Sequence, residues 1–97
     1  MKISWSSDAE FEVLQTIDYW NEHNGSSNYS AKIYEEIQKA LKQIKENPIR
    51  KNHYSEKMDL YVKVFFKGKF ALYYKIIEEE DAIWIIYFRS MKQKPIF

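Results

Sequence analysis

Cations and flat rings alternate along the last third of this 97-residue chain. Lys63 stands between Tyr61 and Phe65, Tyr73 is two residues from Lys75, and Arg89 and Lys92 close the run. Residues two apart in an extended strand share a face, so each set places a charged nitrogen beside aromatic rings. Single-stranded nucleic acid is bound by that combination, cations drawing in phosphates while rings stack with bases. The same spacing also suits a plainer purpose, outward lysines that keep a sheet soluble. Hairpin register decides between the two, because a slip of one residue exchanges the faces. Arg50, Lys51, His53 and Lys57 form a second basic group in the polar stretch from Ile49 to Asp59. Such stretches serve as solvated connections and as functional loops.

Other chemistries are poorly supplied. His23 and His53 are the two histidines, neither has a partner at ligand spacing, and cysteine is absent, so neither a metal site nor a disulfide is expected. Gly25 and Gly68 are too few for a phosphate-cradling loop. Nothing marks a nucleophile for a serine-histidine-carboxylate triad, and no cofactor is expected.

The elements that must position the basic and aromatic set follow from periodicity. Leu60 to Phe66, Phe70 to Ile76 and Ala82 to Phe88 are rich in β-branched and aromatic residues and are separated by Lys67-Gly68 and by the acidic run Glu78 to Asp81. They read as a three-stranded antiparallel meander. The last run is apolar nearly throughout, as a central strand or one covered on both faces would be. Upstream, Lys2 to Trp5 suits an edge strand added to the meander. Ser7 and Glu10 have capping-box spacing for a helix whose apolar positions are Val13, Leu14, Ile17 and Trp20, with Ala9 and Phe11 beside them, and which ends at Asn24-Gly25. A second helix, capped from Ser26, Ser27 or Ser30, carries the stripe Ile33, Tyr34, Ile37, Ala40, Leu41 and Ile44 and a Glu35–Lys39 pair, and stops at Asn47-Pro48. The two helices should form an antiparallel hairpin that covers the meander. The expected fold is α+β, in the order β-α-α-β-β-β, an antiparallel sheet covered on one face by a two-helix hairpin.

Residues 1–97 make one domain, with the 45% apolar and 30% charged content of a soluble globular protein. Aromatic residues reach 18%, so a small core is filled with large side chains. A net charge of +1 leaves any nucleic-acid role resting on local clustering. No apolar run reaches signal-peptide or membrane-span length, which points to a cytoplasmic protein with no membrane partner.

The order strand, helix, helix, loop, three strands resembles the RelE/ParE superfamily of type II toxin-antitoxin toxins, which includes plasmid stabilisation proteins. The resemblance runs from Ile3 to Pro95 and is carried by I-S-W-S-x-x-A (Ile3 to Ala9), Tyr19-Trp20 with Asn21, the helix ending in Asn47-Pro48, F-x-L-x-Y-x-I (Phe70 to Ile76) and the closing K-Q-K-P (Lys92 to Pro95). It implies one fold with two activities: RelE-like members are ribosome-dependent endoribonucleases that cut messenger RNA and inhibit translation, and ParE-like members poison DNA gyrase. Both are neutralised by a small cognate antitoxin, which implies a toxin-antitoxin hetero-oligomer. For the ribonuclease branch, Lys63 matches a basic residue on the first meander strand that is usually arginine, and Lys92 matches the basic residue of the closing motif. With Arg89 they would form a catalytic set stabilising charge on the attacked phosphate, while Lys51, His53, Tyr73 and Lys75 would contact RNA and Tyr73, Tyr87 or His53 could transfer protons. Lysine supplies a point charge where arginine would make a two-pronged phosphate contact. The expectation is a toxin acting as a ribosome-dependent endoribonuclease, with gyrase inhibition without catalysis as the alternative and a non-toxic antitoxin-binding relative as a third. The antitoxin is expected in the groove between the helical hairpin and the sheet edge.

Overall fold

The structure, a computed structural model, describes residues 1–24, 27–49 and 53–91. Strands β1 (Lys2–Trp5), β2 (His53–Ser55), β3 (Leu60–Phe65), β4 (Phe70–Ile77) and β5 (Ala82–Ser90) form one sheet in the order β1-β5-β4-β3-β2. Helices α1 (Ser7–Asn24) and α2 (Asn28–Glu46) lie between β1 and β2 in the chain. The meander β3-β4-β5 is antiparallel as expected. Two features differ. β1 pairs parallel with the start of β5, Lys2 opposite Ala82 and Trp5 opposite Ile85, so the sheet is mixed; the two helices and strands β2 to β4 all lie between these parallel neighbours in the chain. The polar stretch after α2 is not wholly loop, because His53–Ser55 pairs with β3 as an extra edge strand.

The cap of α1 belongs to Ser6 rather than Ser7. The amide of Ala9 donates to Ser6 Oγ at 3.0 Å and that of Glu10 to the Ser6 carbonyl at 3.1 Å. Ser6 Oγ also donates to the Ile86 carbonyl at 2.7 Å, so one hydroxyl starts the helix and pins it to β5. Ser30 is likewise no cap; it is buried and donates to Asn21 Oδ1 at 2.6 Å, joining the two helices. On the outer face of α2, Lys39 pairs with Glu36 at 3.0 Å rather than with Glu35.

The main core joins Ala9 and the stripe Ile33, Ile37, Ala40, Leu41, Ile44 to Phe65, Phe70, Leu72, Tyr74, Ile83, Ile85 and Phe88. Val13, Ile17 and Trp20 continue the stripe that begins at Ala9. Phe11 and Leu14 fall off that arc and are 59% and 62% exposed, and Tyr34 on α2 is 58% exposed, against the expectation that all three face inward. A bulge sets which residues of β5 join this core. Tyr73 pairs with Tyr87 but Tyr74 with Ile85, leaving Ile86 as the extra residue. Ile83 and Ile85 face the helices before the bulge, and Phe88 does so after it. The opposite sheet face carries a second apolar cluster of Leu60, Val62, Ala71 and Tyr73, with Met58, Ile86, Tyr87 and Met91 packed on it.

Candidate functional site

β1 stops at Trp5, so β5 beyond Ile85 has α1 beside it in place of a strand. Glu12 satisfies that edge. Its Oε1 accepts the Phe88 amide at 3.3 Å, and its Oε2 pairs with Arg89 Nη1 at 2.6 Å. Burial raises the Glu12 carboxyl above the ordinary value; the Phe88 hydrogen bond and the Arg89 charge oppose this, and Asp8 adds a little to it. Arg89 Nε is buried without a hydrogen-bond partner among the described residues, and its guanidinium carbon lies 5.5 Å from the centre of the Tyr87 ring.

A cleft of about 440 Å³ opens over this pair, bounded by Gln15, Thr16, Tyr19 and Trp20 of α1 and by Ser90. It meets a second hollow of about 430 Å³ at Trp20 and Ser90, which extends along Tyr29, Lys69 and Met91. The ring of Trp20 lies 5.1 Å from Tyr19 and 4.7 Å from Tyr29, both edge-on. Lys69 Nζ sits 5.0 Å from the centre of the Phe66 ring and 5.6 Å from that of Tyr29, within range of cation–π attraction. The β3–β4 turn that presents Lys69 has Phe66, Lys67 and Gly68 all at positive φ (53°, 56° and 81°), and glycine relieves only the last of these.

The residues singled out from sequence do not gather at one place. Lys63 is opposite Leu72 and shares the helix-covered face with Tyr61 and Phe65, where it is half-buried. Tyr73 and Lys75 lie on the other face; Tyr73 is fully buried opposite Val62 and Tyr87, and Lys75 is exposed opposite Trp84. The interleaved surface of Lys63, Tyr73 and Lys75 is therefore absent, the pairing having fallen on the register that separates them. His53 is on the far edge strand, two strands removed from Lys75's partner β5 by β3 and β4. Arg89 is engaged by Glu12. Lys51 and Lys92 lie outside the described residues. Sequence reasoning missed Glu12, Tyr29 and Lys69. Tyr19-Trp20 was visible as an aromatic pair, but Glu12 meets Phe88 and Arg89 from the other end of the chain and leaves no local signal. Among the described residues no group of three or more His, Cys, Asp or Glu could hold a metal, and no helix is long and apolar enough to cross a membrane.

A two-helix hairpin on a five-stranded mixed sheet, built in this chain order, is a RelE/ParE-like α+β domain. The family model for the ParE toxin of type II toxin-antitoxin systems, parDE, matches residues 3–95. The chain belongs to that family, and so is the toxin of a type II toxin-antitoxin module whose partner is a cognate antitoxin. No curated protein matches it.

Proposed function

We propose that this toxin acts on DNA gyrase by binding, as the ParE-like branch of the superfamily does, rather than by cutting messenger RNA. The observation that carries this reading is the separation of Lys63 and Arg89, the members of the basic set among the described residues, which phosphate chemistry would need together. Lys63 is half-buried on the helix side, while Arg89 stands on β5 beyond its pairing with β1, opposite Ala71 and in an ion pair with Glu12. General electrostatic stabilisation of a scissile phosphate needs donors aimed at one point, and these two are aimed apart. Tyr73 is fully enclosed and has no open face for a base. A cytoplasmic complex with a neutralising antitoxin follows from this reading.

The test is a short pulse of the chain in cells without antitoxin. Covalent gyrase–DNA complexes should accumulate while the 5′ ends of translated messages stay unchanged. New cuts confined to translated regions would overturn the proposal in favour of ribosome-dependent cleavage.

A further inference from the structure

We propose that the outer face of the helical hairpin is an interface between two copies of this chain, α1 of each lying on α2 of the other. Charge is sorted between the helices. α1 carries Asp8, Glu10, Glu12, Asp18 and Glu22 and neither lysine nor arginine, whereas α2 carries Lys32, Lys39, Lys42 and Lys45. Among the described residues Glu12 is the one acid of α1 in an ion pair; Lys32 and Lys39 engage Glu35 and Glu36 within α2, and Lys42 and Lys45 make no ion pair. Large apolar side chains stand open among these charges. Phe11 and Leu14, 59% and 62% exposed, are neighbours three residues apart on α1, and Asp8, Glu10 and Asp18 flank them at helical spacing. On α2, Tyr34, Gln38, Lys42 and Lys45 follow one another along one exposed row.

The levels match. Ser30 Oγ donates to Asn21 Oδ1, and from that joint the helices run in opposite directions. Counting equal numbers of residues along each, at about 1.5 Å apiece, sets Tyr34 level with Ile17, between Leu14 and Asp18, and Lys42 level with Ala9, between Asp8 and Glu10. A two-fold axis parallel to the helices and midway between them keeps every residue at its level while exchanging α1 with α2. Tyr34 of each copy then meets Leu14 of the other, and Lys42 meets Asp8 and Glu10, each contact being made twice. A net charge of +1 leaves little general repulsion between copies. A different partner would have to bring cations to the acidic helix, and a second copy already holds them at the matching level.

The inference does not depend on gyrase being the target. Sedimentation equilibrium of the full chain at low salt, from about 5 to about 500 µM, should show the mass rising from one chain toward two, as a small interface allows. Lys42→Glu by itself, and Asp8→Lys/Glu10→Lys by itself, set like charges opposite each other at both contacts, and each should stay monomeric. An equimolar mixture of the two restores opposite charges at both contacts and should dimerise. Leu14→Gln should weaken association about tenfold or more. Lys75→Glu, exposed on the other face of the sheet, should change it less than about twofold. Circular dichroism confirms the fold of each variant. A wild-type chain that stays monomeric throughout, a mixture no more associated than its components, or a dimer indifferent to Leu14→Gln and Lys42→Glu would each overturn the proposal.

Discussion

Glu12 of α1 holds two partners on β5. Its carboxylate accepts the Phe88 amide and pairs with Arg89, yet burial still raises its pKa above the ordinary glutamate value. The folded state therefore binds this proton more tightly than the unfolded chain does. The resulting contribution to stability is full at pH values below the unfolded pKa and declines as pH rises through the folded one. Glu12→Gln keeps an oxygen for the Phe88 amide and removes the titration, so its melting temperature should fall less steeply than the wild type's as pH rises above the ordinary glutamate value. An unchanged slope would assign the pH dependence elsewhere. Glu12→Ala leaves both partners without their acceptor and should cost about 1–3 kcal/mol in denaturant unfolding. Leu14 makes the opposite case. At 62% exposed, it should tolerate Leu14→Gln within about 0.5 kcal/mol, despite its place in an apolar pattern.

At the level of elements, the start of α1 is the joint between hairpin and sheet. Ser6→Ala removes a helix cap and leaves the Ile86 carbonyl without its donor, and should destabilise by about 1–2 kcal/mol. Ser7→Ala should stay within about 0.5 kcal/mol. Equal losses in the two variants would contradict the cap as placed here. Both helices and the three meander strands were legible because their signals are local: period 3.6 in Ile33 to Ile44, period 2 in Phe70 to Ile76, and turn residues between. The features that escaped depend on distant partners. The parallel pairing of β1, the edge strand at His53–Ser55 and the extra Ile86 are settled by which strand arrives alongside, a matter on which the local residues carry no information. The bulge matters most for the site, since it brings Phe88 under the helices and places Arg89 where Glu12 can reach it. The faces on which the candidate-site residues fall were illegible for the same reason. Lys63 and Tyr73 alternate correctly within their own strands, but the pairing of Tyr61 with Tyr74 and Lys63 with Leu72 sends them to opposite faces.

The whole molecule has apolar residues buried on both faces of its sheet, and its open aromatic and cationic groups are dispersed, Trp20, Tyr29 and Lys69 beside one hollow and Tyr54, Tyr61 and Lys75 beside another. A catalytic set drawn from Lys63 and Arg89 would have to span two faces of that sheet. Lys63→Ala should accordingly leave growth arrest intact, measured as colony-forming units after induction, if soluble protein accumulates to the wild-type level. Abolished toxicity in that folded variant would return Lys63 to the functional surface. The most direct test is to induce the toxin without antitoxin and, in the same cells, trap covalent gyrase–DNA complexes and map message 5′ ends. Trapped gyrase with intact messages is the predicted result; cut messages with no trapped gyrase would contradict it.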